Sequence, residues 1–462
     1  MTNQLANLSE PSGRVRHTRH GSPYESYRPT RVWGARRLPA HWTEKPLKHI
    51  VSINTDKLPE STDPDYEIEY VDIGNVSLTE GITSTERLRF EAAPSRARRR
   101  VQHGDTIVST VRTYLKAVAH IIAPPANLIV STGFAVLRPN PALSHAYLYR
   151  LAQSEPFVHA IVAHSVGVSY PAINASDIGR FYIPLPPIPE QNSIAAFLDQ
   201  ETARIDTLIA RKQELIERLS EEKATRISRV VTHGMNAQAA MTDSDVPWLG
   251  PVPEHWRIVR LKRVLASADY GISDSLKESG EVAVLRMGNL QDGELSFADL
   301  RYVDSVAPEL VLKDEDILFN RTNSLALIGK TALFHGFGET KFSFASYLVR
   351  FRTNGTMNPA YLCFLLNRPE ILERARSLAL PAIGQANLNP NRYGYIHVCV
   401  PPLPEQTDIV EHVRQESARI DRIARQIKNA ITRLCEYRSV LIAAAVTGQI
   451  DVRNYRREAP CP

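Results

Sequence analysis

Two six-residue strings decide how this chain is read: Pro186-Pro187-Ile188-Pro189-Glu190-Gln191 and Pro401-Pro402-Leu403-Pro404-Glu405-Gln406. They differ at one position and lie 215 residues apart. Working outward, the same shift recurs. Ala203-Arg204-Ile205-Asp206 matches Ala418-Arg419-Ile420-Asp421 on the C-terminal side. On the N-terminal side Tyr147-Leu148 matches Tyr361-Leu362, and Gly74-Asn75 matches Gly288-Asn289. Leu47-Lys48 matches Leu261-Lys262, and His41-Trp42 matches His255-Trp256, all at a shift of 214 or 215. The chain is therefore a tandem duplication, with a period far too long for a solenoid or propeller repeat.

Each copy has the same internal order: a mixed region, a Pro-rich hinge, then a long helical pattern. The mixed regions span roughly 33–185 and 248–400. Their short apolar runs predict strands at 106–111, 117–122, 134–137, 317–320, 330–334 and 347–351. Helices are expected at 146–163 and 359–375, each just after a Pro-containing turn. Strands and helices do not alternate strictly, which favours an α+β globule over a doubly wound sheet.

The helical patterns cover about 190–232 and 405–447. In the second copy Val413, Ile420, Ile423, Ile427, Ala430, Leu434, Tyr437 and Leu441 follow steps of three and four, apart from Glu416 between the first two, a heptad seam. In the first copy Leu198, Ile205, Leu208, Leu215 and Leu219 keep that register, with Ile209 and Ile216 broadening the face. A helix of about 43 residues is about 65 Å long. One such helix cannot expose an apolar stripe to water, so the two are expected to bury their seams against each other.

The 462 residues suggest two to four domains, and 43% hydrophobic with 23% charged residues is ordinary globular composition. The net charge of +5 excludes no partner, although only 12 of the 55 basic residues are lysine. Arginine forks suit phosphates and guanine edges. The four cysteines (Cys363, Cys399, Cys435 and Cys461) form no C-x-x-C pair, so neither a zinc site nor a disulfide framework is expected. With no signal-like start and no long apolar run, the expected setting is the cytoplasm, away from the membrane.

Enzyme motifs fail one by one. Gly329-Lys330-Thr331 ends like a phosphate-binding loop, but Ser324 stands where its first glycine is needed and Leu325-Ala326-Leu327-Ile328 is bulky. Asp65, Glu67 and Glu69 faintly resemble a nuclease cluster, without a lysine and without a counterpart in the second copy. His41 and His255 each precede a Trp, a structural pattern more than a catalytic one. No catalytic or metal-ligating set emerges.

In this order and twice over, the motifs resemble the specificity (S) subunit of type I restriction-modification systems. Trp248-Leu249-Gly250 with Pro253-Glu254-His255-Trp256 carries part of the likeness, as do the runs 104–112 and 316–323. The two Pro-Glu-Gln strings, the Ala-Arg-Ile-Asp helices and the ending Ala445-Val446-Thr447-Gly448-Gln449-Ile450-Asp451 complete it. The resemblance implies two similar α+β target-recognition domains joined by two long helices. These would form an antiparallel coiled coil with pseudo-two-fold symmetry, a symmetry that duplex DNA shares. It implies a bipartite double-stranded DNA target, two methyltransferase subunits and two restriction (motor-nuclease) subunits as partners. No catalysis and no bound cofactor are implied for this chain; S-adenosylmethionine, ATP and Mg²⁺ would serve the partners.

The resulting boundaries are a disordered basic leader at 1–32, recognition domains at 33–188 and 248–403, and helical regions at 189–235 and 404–450. A linker at 236–247 and a tail at 451–462 complete the chain. Arg87, Arg89, Arg96, Arg98, Arg99 and Arg100 are DNA-binding candidates, read as a flexible basic loop on phosphates or as a merely solvated one. Arg112, Thr113 and Tyr114, and in the second domain Arg321, Thr322, Asn323 and Ser324, are candidates for base contacts. The stretches 167–171 and 384–387 fit loops close to DNA or turns that end the domain.

Overall fold

The computed structural model describes residues 23–453 and 455, apart from 292, 337, 383 and 384. The chain divides into two compact units, residues 1–212 with 429–462, and residues 213–428. Each unit holds one α+β domain, the start of one long helix and the end of the other.

In the first unit, Val51–Ile53, Thr106–Ser109, Val118–His120 and Phe134–Pro139 form an antiparallel four-stranded sheet. A second sheet joins Glu67–Val71, Glu86–Arg89, Ala97–Arg100 and Leu128–Ser131, with one parallel pair between its first and last strands. The second unit repeats this plan. Leu265–Tyr270, Leu348–Thr353, Ile317–Asn320 and Thr331–Leu333 form one sheet. Val282–Leu285 pairs antiparallel with Arg301–Val303 and parallel with Lys341–Phe344 in the other.

The helices expected at 146–163 and 359–375 are each broken in two. The first becomes His145–Gln153 and Glu155–Ala163, the second Pro359–Leu366 and Pro369–Leu378. Ser154 and Arg368 are extended at the breaks, and Pro156 and Pro369 open the following helices. Proline lacks the amide that would continue the preceding helix, yet fits a first turn.

The long helices are Ile188–His233 and Leu403–Val446. Their ends belong to the domain cores. In the first unit Trp42, Tyr147, Ile194, Phe197, Leu198, Leu441 and Val446 share one core. In the second, Trp256, Tyr361, Val231, Ile409, Val410 and Val413 do the same. The Tyr147 hydroxyl donates to Val446 O at 3.2 Å and the Tyr361 hydroxyl to Val231 O at 2.8 Å. Each domain thus grips the end of the helix that began in the other copy.

Within each unit the helical segments run antiparallel. In the second unit Lys223 pairs with Asp421 at 2.8 Å and Arg226 with Glu416 at 3.1 Å. In the first, Arg438 pairs with Asp206 at 3.1 Å. Val413, Ile420, Ile427 and Leu441 are buried, and Ile423 and Leu434 half-buried. Leu198 and Ile205 are buried and Leu219 half-buried.

Leu208 and Leu215 depart from the expected seam: they are 43% and 46% exposed. Ile209 and Ile216 turn inward in their place. From Ile205 the helix steps by four before three, and that one-residue change rotates the leucines about 100° away from the partner.

The leader expectation also needs correction. Residues 1–22 lie outside the described set, but 23–32 are ordered. Tyr27–Pro29 pairs with Arg37–Pro39. Tyr24 and Val32 are buried in the first core, so an aromatic anchor outweighs the basic, Pro-rich composition around it.

Candidate nucleic-acid interface

The repeated Glu-Gln pair is a clamp that fixes each domain to the start of its long helix. Glu190 accepts hydrogen bonds from the Tyr24 hydroxyl at 2.6 Å and Trp42 Nε1 at 3.0 Å, with His41 Nε2 at 2.9 Å. Glu405 accepts from Trp256 Nε1 at 3.1 Å, with His255 Nε2 at 2.8 Å. Gln191 accepts from Ser144 N and donates to the Ala142 and Pro186 carbonyls. Gln406 accepts from Asn358 N and donates to the Thr356 and Pro401 carbonyls. The strings therefore satisfy buried polar groups, each of which would cost about 1–3 kcal/mol if left unpaired.

The basic run of the first domain is not a flexible loop. Arg87 and Arg89 lie on the strand Glu86–Arg89, and Arg98, Arg99 and Arg100 on Ala97–Arg100. Most meet carboxylates. Arg87 faces Glu69 at 3.8 Å, Arg89 faces Asp65 at 3.3 Å, Arg96 faces Asp72 at 2.7 Å and Arg98 faces Glu60 at 3.4 Å. Hydrogen bonding to Tyr70, then the charge of Asp72, holds Arg96 above its usual pKa. Arg99 turns half inward, where burial pushes its pKa down. Within this run, Arg100 is exposed at the end of its strand, with no ion pair to a carboxylate among the described residues. The acidic residues that faintly suggested a nuclease partly neutralise this sheet surface.

The more open cation is Arg112. It is exposed and left-handed, with φ 50°, and Lys116 follows at φ 53°. Such conformations cost a non-glycine residue roughly 1–3 kcal/mol and gather at functional sites. Between them the turn Thr113–Leu115 carries Tyr114 at 53% exposure, while Thr113 is buried and its Oγ1 meets Ser165 Oγ at 2.8 Å. The neighbouring loop brings Tyr170, whose ring lies 5.2 Å from the Arg112 guanidinium. Val166 and Val168 are also strongly exposed there. The stretch 167–171 is thus placed beside Arg112, a proximity that spacing alone does not show.

In the second domain Arg321 is held more tightly. Its guanidinium lies 5.0 Å from the Tyr270 ring, donates to Asn387 Oδ1 at 2.9 Å and to Ser346 O at 3.2 Å. Thr322 and Asn323 form a strand paired with Asn387 and Ala386, and Thr322 is buried. Ser324 is exposed, next to the exposed Leu325. Of the stretch 384–387, residue 384 lies outside the described set. Sequence spacing does not identify Tyr170, Tyr270 and Asn387 as partners of these arginines, because contacts between residues far apart in the chain carry no periodic signal.

Burial pushes the Cys363 and Cys399 thiols up to about 11. Among the described residues, no group of three or more His, Cys, Asp or Glu is arranged to hold a metal ion. Thr331 of the loop-like Gly329-Lys330-Thr331 is buried in a strand and bonded to the Asn367 amide. No helix among the described residues is long and apolar enough to cross a membrane.

A duplicated α+β domain with arginine and aromatic side chains at its loop tips, repeated on paired helices, defines a nucleic-acid-reading scaffold. A sequence model of the type I restriction modification DNA specificity domain matches residues 39–218 and again 253–433, and the chain belongs to that family. It is 26% identical over 332 residues to the EcoKI specificity subunit of Escherichia coli K12, covering 70% of this chain and 69% of that one. It is 24% identical over 330 residues to the StySPI specificity subunit of Salmonella potsdam, with 70% and 69% covered.

Two solved structures share the fold. One comes from a study of complex assembly and conformational transition of the type I R-M system. It superposes with a TM-score of 0.70 at 23% identity, covering 89% of this chain and 99% of that one. The HsdS subunit from Thermoanaerobacter tengcongensis gives 0.52 at 23% identity, with 90% and 99% covered. The protein is a DNA-specificity subunit, and its two specificity domains fit a target read in two parts.

Proposed function

We propose that each domain reads one half of a bipartite duplex site, that the paired helices set the half-site spacing, and that the chain itself performs no catalysis. In this reading the helices dock two methyltransferase subunits and, through them, two restriction subunits in the cytoplasm. S-adenosylmethionine, ATP and Mg²⁺ are used by those partners. One observation carries the reading: the same Glu-Gln clamp fixes both domains, while the tips they present, Arg112 with Tyr170 and Arg321 with Tyr270, are unlike. A shared frame with different tips is what two different half-sites require.

The test reconstitutes the chain with its methyltransferase and maps methylated sites across the host genome. Inserting four residues at the midpoint of both long helices is expected to lengthen the preferred spacer by one to two base pairs, since four residues span about 6 Å. An unchanged spacer would refute the spacing role. Methylation or cleavage by the chain alone would refute the non-catalytic one.

A further inference from the structure

The second unit contains a cavity of about 640 Å³ between the end of the first long helix, the start of the second, and residues 235–241. Its floor includes Ile227, Val413 and Ile420, and its rim carries Arg229, His233 and His412. The duplication supplies the corresponding place in the first unit, and there it is filled. Counting back 215 positions, His412, Val413, Glu416 and Ile420 become Phe197, Leu198, Glu201 and Ile205. The chain's own C-terminal segment lies over these residues. Tyr455 packs edge-on against Phe197 at 4.7 Å, and its hydroxyl donates to Glu201 Oε1 at 2.7 Å. Val452, three residues earlier, is buried in the same core.

In the second unit the matching stretch cannot serve in this way. Met241, 214 positions before Tyr455, begins a strand paired with Pro253 and is left 38% exposed on the cavity wall. The carboxylate that anchors the tyrosine is retained as Glu416, held by Arg226 at 3.1 Å. The surroundings have become more basic: Phe197 and Leu441 of the first unit correspond to His412 and Arg226.

We propose that this cavity receives an aromatic side chain, flanked by carboxylates, from a segment of a partner polypeptide. That segment would occupy the place that Tyr455 takes in the first unit. The inference rests on the scaffold reading above for the existence of a protein partner. It adds that the two copies are unequal as docking sites, because one is closed by the chain itself.

The probe is a labelled peptide copying residues 450–455 with Arg453 replaced by Glu, titrated against the full chain by fluorescence anisotropy. Saturable binding is expected, weakened about tenfold or more when its tyrosine becomes alanine, as for an aromatic anchor in an interface. Ser417→Trp, which fills the cavity, is expected to abolish it. The surface pair Arg229→Glu with His412→Glu should weaken it several-fold and guards against misfolding of the first variant. Duplex DNA binding, measured in parallel, stays unchanged in both variants; its loss in the unaltered chain would instead refute the DNA-reading role. Absence of saturable peptide binding, or binding indifferent to the peptide tyrosine or to both variants, overturns the proposal.

Discussion

Arg112 and Arg321 follow comparable strands of the two domains, yet one is exposed and the other is tied. Arg112 is exposed beside the Tyr170 ring, whereas Arg321 places its fork on Asn387 and the Ser346 carbonyl beside Tyr270. The clamps show the reverse economy of change. Glu190 and Glu405 hold the same His-Trp pair in both copies, but Tyr24 closes over Glu190 alone. The difference teaches where a duplicated domain is free to diverge. Groups that complete buried hydrogen bonds stay alike, and groups that face solvent or ligand change.

The largest effect should come from the clamp. Glu190→Ala leaves the buried Tyr24 and Trp42 donors unpaired and is expected to destabilise the first unit by about 2–5 kcal/mol. Glu405→Ala leaves a more exposed site and should cost about 1–2 kcal/mol. Urea unfolding followed by tryptophan fluorescence compares them; equal costs would break the distinction drawn between the clamps.

The tips come next. Arg112→Ala is expected to weaken binding of the complete bipartite site about tenfold and to reduce the salt slope by about one contact. Arg321→Ala should instead lower the stability of the second domain, with the DNA effect following from that loss. If Arg321→Ala leaves stability intact but abolishes recognition of its half-site, the tied arginine is itself a reader.

A smaller contrast is set by pH. His120 contacts His145 at 3.0 Å and stacks on Tyr149 in the first domain. Burial, then the nearby His145, holds its pKa down to about 4 against an ordinary 6.5. Between those values the unfolded chain binds the proton and the native domain does not. The stability contribution is therefore full above about 6.5 and is lost as pH falls toward 4. Thermal melts from pH 7.5 to 5 should show the first unit weakening, and His120→Phe should flatten the slope. A slope unchanged by His120→Phe would move the effect elsewhere.

Much of the architecture was legible in the chain itself. The duplication, the hinge strings and the positions of the six expected strands follow from residue identity and spacing. The seam was legible only to within a residue: Leu208 and Ile209 are both apolar, and periodicity cannot choose between adjacent positions. The basic run misled for a related reason. Arg87, Arg89, Arg96 and Arg98 read as free charge until the sheet set Glu69, Asp65, Asp72 and Glu60 opposite them. Tyr24 was hidden in a leader whose composition suggested disorder, because one buried aromatic does not alter an average.

The sequence by itself determined that there are two copies, that each is an α+β domain followed by a long amphipathic helix, and which family they resemble. These follow from local pattern and from a repeat that any folding must respect. Only the tertiary structure decided which copy's helix completes which core, which arginine stays exposed, and which of two equivalent places is already filled. Those outcomes depend on contacts between residues far apart in the chain, such as Tyr147 with Val446 or Glu201 with Tyr455. Such contacts leave no mark on local spacing, because burial and charge pairing are properties of neighbours in space.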